Sequence, residues 1–337
     1  MILLLSRPAA ASSPDLLARL QNIPAVSGYE DSLRAALISD LPGWCRPETD
    51  ALGNLVVDLG GSGTIRMIAA PMDEAGYVVS QLDTSGYLRI SRLGGAGRLF
   101  DQFQVGQRFQ LLTRQGPLPA VCAAPSTHLR PRTPSGAEPW TVQDLWLDAG
   151  FHSPSEAARA GVRLLDPITL VERYTPLGGA RSSGPGLEGR AEVASLLLAL
   201  QGARPAAQGH WIAAFTAQAQ PGGRGLRRLI RRFNPSAVYL LGGFPRGDLG
   251  RGASVQADSL KGLAADLSQK LLKLGAKDVR RQGPSTSPDQ AGLDALARIP
   301  AAVLGLPVRY DHTPSEMVDQ GDMALLARVI RRLMESP

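Results

Sequence analysis

Apolar positions along the chain switch repeatedly between helical and extended spacing, and that alternation predicts an α/β protein with a mixed sheet flanked by helices. Ser13-Pro14 offers an N-cap with proline at the first helical position, and Leu16, Leu17 and Leu20 give the spacing of a helix ending before Pro24. Ser27 and Glu30 stand at capping-box distance ahead of a second helix, whose buried stripe is Leu33, Leu37 and Leu41. Apolar runs at 55–59, 64–70, 211–215, 237–241 and 301–306 are predicted strands. Between them lie a leucine-rich helix reaching Leu200, a basic helix beginning near Gly225, and a helix carrying Leu263, Leu267 and Leu271. Thr313 and Glu316 form a further capping-box pattern, and Leu325, Leu326, Val329, Ile330 and Leu333 make an amphipathic closing helix.

From about residue 76 to 168 the texture changes to short alternating runs at 86–90, 107–112, 119–123 and 144–148, broken by glycine and proline. We therefore expect two units: an α/β domain from residues 1–75 and 169–337, and an inserted β-rich domain at 76–168. A polar, proline-rich loop is expected at 130–139.

Composition narrows the class without naming it. The chain has 337 residues, 44% of them hydrophobic and 20% charged, as in an ordinary globular protein. Its net charge of +6 comes almost wholly from arginine. The arginines are scattered apart from Arg227-Arg228 and Arg231-Arg232, so nucleic-acid binding is not expected. Two cysteines, Cys45 and Cys122, are too few for a disulfide framework or a cysteine metal site. The apolar run at residues 1–5 is too short for a membrane span, lacks a basic flank, and leads into Arg7-Pro8. A cytoplasmic protein without membrane partners is expected.

The stretch that organises the chemistry is Thr216-Ala217-Gln218-Ala219-Gln220-Pro221-Gly222-Gly223-Arg224, a crossing from a predicted strand to a predicted helix. Loops past the carboxyl ends of strands are where open α/β sheets collect ligands and catalytic groups. This one holds two amides and two alanines, with no carboxylate. The glycine run at 94–97 falls in the β-rich region rather than between a strand and a helix, so no phosphate loop is read there.

Taken in order, the segments Pro24-Ala25-Val26-Ser27-Gly28-Tyr29-Glu30, Leu52-Gly53-Asn54, Asp144-Leu145-Trp146-Leu147-Asp148-Ala149-Gly150 and Arg309-Tyr310-Asp311-His312-Thr313-Pro314-Ser315-Glu316 resemble one family. It is that of the tetrahedral aminopeptidases, metallopeptidase family forty-two, also called glutamyl or deblocking aminopeptidases and related to FrvX proteins. The resemblance implies a zinc-aminopeptidase fold, a PDZ-like insertion used for self-association, and two zinc or cobalt ions bridged by a carboxylate, with a glutamate as general base. Two divalent ions about 3.5 Å apart repel by roughly 20 kcal/mol even at an effective dielectric of about 20, so such a pair needs several surrounding carboxylates.

Carried over one position at a time, the resemblance implies that most of that set is gone. The His-Met-Asp-Glu motif stands here as Pro71-Met72-Asp73-Glu74, which removes one ligand and keeps the supporting acid Asp73. The bridging aspartate corresponds to Glu188, the general base to Ala219, and the adjoining glutamate ligand to Gln220. A further aspartate falls at Gly242, with Gly243 as the other placement; His312 alone keeps its residue type. The expectation is a pocket stripped of negative charge in a protein without metal or peptidase activity. It would bind peptides in the old cleft, or associate with itself as a dimer up to a dodecamer, or with an active paralogue. The competing expectation is a rearranged, weakly active metal-dependent aminopeptidase.

Overall fold

The structure, a computed structural model, describes residues 13–94, 98–123, 126, 128, 139–171, 173–202, 209–256, 263–294 and 299–336. The apolar run at 1–5, positions 95–97 of the glycine-rich stretch and most of the proline-rich loop, 130–138, lie outside them.

Eight strands form one mixed sheet in the order Pro47–Thr49, Leu55–Asp58, His210–Thr216, Ile65–Pro71, Ala237–Phe244, Ala301–Pro307, Ala253–Gln256 and Val279–Gln282. The four inner strands from His210–Thr216 to Ala301–Pro307 run parallel, whereas Leu55–Asp58 and Ala253–Gln256 pair antiparallel beside them. Parallel strands are apolar throughout because helices cover both faces. In His210–Thr216, Trp211, Ala213 and Phe215 enter one core while Ile212 and Ala214 enter the other, which is the two-residue period of a strand. The first core is closed by the helices Ser13–Gln21, Leu187–Gly202 and Gln320–Glu335, and the second by Leu226, Leu229 and Ile230 of the helix Arg224–Phe233. The four parallel strands therefore end on one edge, delivering Pro71, Thr216, Phe244 and Pro307 to the same place.

At that edge a second sheet begins. Gly76–Leu82, Leu88–Leu93, Trp146–Asp148, Gly116–Ala123, Arg108–Thr113 and Pro167–Leu170 close into a barrel. Its separate core includes Tyr77, Val79, Leu88, Phe109, Leu111 and Leu147. Tyr77 packs edge-on against Phe109 at 6.1 Å and stacks with Phe100 at 6.4 Å. A three-stranded sheet of Thr175–Pro176, Arg181–Ser183 and Met317–Asp319 completes the strands.

Two capping-box patterns are not caps. The second helix runs Asp31–Asp40 without a side-chain cap; Ser27 Oγ instead donates to Asp73, and Glu30 Oε1 accepts from the N–H groups of Gly28 and Gln218, each at 2.9 Å. Thr313 and Glu316 precede no helix, and the closing helix starts at Gln320 with Asp319 as its N-cap. In both cases a serine or threonine and a carboxylate find loop donors and acceptors that compete with helix capping. By contrast, Ser153 Oγ accepts from the Glu156 N–H at 3.2 Å and caps Pro154–Arg159.

Candidate active-site cleft

A cavity of about 70 Å³ opens where the strand ends meet the barrel. Pro71, Asp73, Glu188, Gln220 and His312 line it from the α/β side, and Tyr77, Phe109 and Ile168 from the barrel. Residues separated by up to 241 positions are thus brought to one place by the parallel strands. Gly243 belongs to the same wall: a Cβ there would lie 2.2 Å from the carboxyl carbon of Glu188, and its N–H donates to Glu188 Oε1 at 2.6 Å. Gly242, one residue earlier, faces the opposite way, toward Ser287. Of the two glycines, Gly243 is the one whose substituent would meet the cavity.

Asp73 and Glu74 are buried but have different partners. Asp73 accepts from the N–H groups of Ala219 and Gln220, each at 2.9 Å, and from Ser27 Oγ. Burial outweighs those donors and pushes its carboxyl up to about 6. Glu74 pairs with Arg173, and with Arg190 at 3.4 Å. Burial would raise its pKa, but the two guanidinium groups overcome that and hold it below the ordinary carboxylate value. Asp73 therefore fixes the strand-end loop that carries Ala219, while Glu74 is shared between two buried cations.

The cleft is not stripped of acidic groups. Glu188, Glu192 and Glu316 are all buried beside it, and Asp289 and Asp311 lie close enough to act on them electrostatically. Burial, then the neighbouring Glu192, Glu316 and Asp311, push Glu188 well above its usual value. Glu192 is raised in the same way by burial and then by Glu316, Asp289 and Asp311. Glu316 is pushed up to about 8, chiefly by burial, although its two oxygens accept from the N–H groups of Glu188 and His312, each at 3.1 Å. Asp289, buried with one oxygen held by Thr216 Oγ1 at 2.6 Å, rises to about 7.

Some of these acids had a signal in the sequence. Glu192 stands one helical turn after Glu188, on the same face, and Asp311 and Glu316 flank His312. Asp289 had none, because the loop that carries it has no periodicity to place it. Among the described residues, Asp311, His312 and Glu316 bring possible ligand atoms within 4.8 Å of one another. His312 is half-exposed, has a backbone φ of +57°, and points Nε2 at Asp311 Oδ2 from 3.5 Å. The other histidines are apart from the cleft's lining; His210 pairs with Asp58 at 2.8 Å.

Sequence comparison makes this architecture, an α/β sheet with a barrel at the carboxyl ends of its strands and a cleft between them, specific. The chain belongs to the M42 glutamyl aminopeptidase family, whose profile matches residues 53–329. It is 26% identical over 338 residues to a lysyl aminopeptidase of Pyrococcus furiosus, spanning 95% of this chain and 96% of that one. It is 25% identical to the putative aminopeptidase FrvX of Escherichia coli, spanning 94% and 93% of the two chains. Among solved structures it is similar to the Pyrococcus horikoshii TET1 peptidase, described as able to assemble into a tetrahedron or a large octahedral shell. There the TM-score is 0.84 with 25% identity, across 97% of this chain and all of that one.

Proposed function

We propose that this chain is an M42-family protein that has given up two-metal peptidase chemistry and keeps the cleft as a peptide-binding site. The observation that carries the reading is the loop 216–224 in its folded setting. Ala219 is fully buried beside Gln220 of the cleft wall, with its N–H engaged by Asp73, and its methyl group cannot take a proton from water. The residues present do not fit a paired-ion centre. Pro71 offers no donor atom, Gln220 offers a neutral amide, and Glu188 extends into the space that a side chain on Gly243 would need. The remaining acids are poor substitutes. Glu316 is occupied in fastening the loop before His312, and burial among like charges favours the protonated forms of Glu188 and Glu192.

The division into an α/β domain and an inserted barrel suits a second role, self-association through the barrel. Tyr87, Val121, Leu164 and Leu165 are exposed apolar residues on or beside barrel strands. The assembly reported for the P. horikoshii TET1 peptidase supports the same reading, with an active paralogue as the other candidate partner. No helix among the described residues is long and apolar enough to cross a membrane.

The test is turnover. Supplied with zinc or cobalt, the pure protein should release chromophore from aminoacyl chromogenic substrates no faster than a Glu188→Ala variant. A wild-type rate well above that control would restore the rearranged-peptidase reading.

A further inference from the structure

The helix Arg224–Phe233 carries more positive charge than its own chain answers. Arg224, Arg227, Arg228, Arg231 and Arg232 line a single groove, whose other bank is Ala51 and Leu52. Spacings of three and four residues make each of these arginines a neighbour of another, which weakens a helix, and Arg224 sits at the end where the helix dipole disfavours a cation. The buried face of the helix, Gly225, Leu226, Leu229 and Ile230, makes no use of that charge. None of these residues lines the cleft.

Two of the five arginines already hold carboxylates, and those show what fits. Glu48, on the edge strand Pro47–Thr49, accepts from both Nη1 and Nη2 of Arg232, at 2.6 and 2.7 Å. Asp50 accepts from Arg228 Nε at 2.9 Å. The two acids stand two residues apart, about 6.6 Å in an extended chain, and the two arginines stand four apart, about 6.0 Å along a helix. An extended segment with an acid at every second residue therefore seats its carboxylates on successive turns. Arg227 and Arg231 repeat the four-residue interval in the neighbouring row, and neither guanidinium has a partner among the described residues.

We infer that the row of Arg227 and Arg231 docks an extended acidic segment of a partner protein, with carboxylates on alternate residues. The planar guanidinium fork matches a carboxylate, as Arg232 shows with Glu48. A single-stranded nucleic acid would also bring anions, but the groove's lining has no aromatic side chain on which bases could stack. A second copy of this chain is a poor occupant. Glu48-Thr49-Asp50 is the one place in the sequence where two acids stand two residues apart, and it is already seated on its own helix.

Calorimetric titration of the full-length protein with two isomeric peptides, acetylated and amidated so that no free terminus contributes, tests this. One is Thr-Glu-Thr-Glu-Thr-Glu-Thr and the other Thr-Thr-Glu-Glu-Glu-Thr-Thr. The alternating peptide should bind about two- to fivefold more tightly, the contribution of one exposed ion pair lost with the register. Arg227→Gln combined with Arg231→Gln should weaken the alternating peptide by about tenfold and erase the preference. The same double variant should melt no lower than the parent, since like-charge neighbours have been removed. Equal binding of the two isomers, no binding by either, or an undiminished affinity in the double variant would overturn the inference. Tighter binding of single-stranded oligothymidine than of the alternating peptide would also overturn it, in favour of nucleic acid. The comparison of isomers on the unaltered protein decides the matter even where the double variant fails to fold.

Discussion

Asp289, buried next to Pro288 of the cleft wall, couples the fold to pH. Its carboxyl is raised from 3.8 to about 7 by burial, partly offset by the Thr216 hydroxyl and reinforced by Asp73. A raised acid pKa means the folded chain holds a proton that the unfolded chain has lost. Stability is therefore fully present below the unfolded value and falls as pH rises through the folded one. Asp73, raised to about 6, and Glu316, raised to about 8, act in the same direction. Melting temperature should fall between about pH 5 and about pH 8, and Asp289→Asn should be more stable than the parent at about pH 8, by on the order of 2 kcal/mol. A parent whose melting temperature is flat or rising across that window would show that these acids are not protonated in the folded state.

At the scale of elements, three pieces of chain meet at Glu74: the turn after Ile65–Pro71, the segment following Pro167–Leu170 that carries Arg173, and the helix Leu187–Gly202 that carries Arg190. Arg173 Nε also donates to the Gln21 carbonyl at 2.7 Å, which adds the end of the first helix to the junction. Removing the carboxylate would leave two buried guanidinium groups unpaired. Glu74→Leu should accordingly cost about 3–5 kcal/mol in chemical denaturation. A loss below about 1 kcal/mol would mean that the junction is held by packing alone.

The elements themselves were largely legible in the sequence, because buried parallel strands are apolar runs and the covering helices carry leucines at regular spacing. Ala253–Gln256 and Val279–Gln282 were not: the second reads Val279-Arg280-Arg281-Gln282, with too little apolar character to stand out. The capping-box pattern at Ser27 and Glu30 misled for a physical reason. Those side chains hold the cleft loops through Asp73 and Gln218, a tertiary use that no local pattern reveals. In the same way, motif order placed Pro71, Glu188, Gln220 and His312 at one site. It could not show that Glu192, Asp289 and Glu316 fill the surroundings with acid, since burial rather than residue type sets their charge.

The whole molecule keeps the architecture of its family. On the basic helix Arg224–Phe233, Arg228 pairs with Asp50 at 2.9 Å and Arg232 with Glu48 at 2.6 Å, so part of its charge is neutralised within the chain. The exposed apolar residues of the barrel are the better candidate for an assembly surface. Light scattering should give a mass of at least two chains, and Val121→Asp combined with Leu164→Asp should lower it. A mass of 35.7 kDa for the unaltered protein would remove self-association.

The central claim is that this cleft no longer gathers a pair of divalent ions, and the most direct measurement is the metal retained per chain. Protein soaked in excess zinc or cobalt, then desalted and measured by elemental mass spectrometry, should hold well under one ion per chain. Two retained ions per chain, lost together in Glu188→Ala, would contradict it.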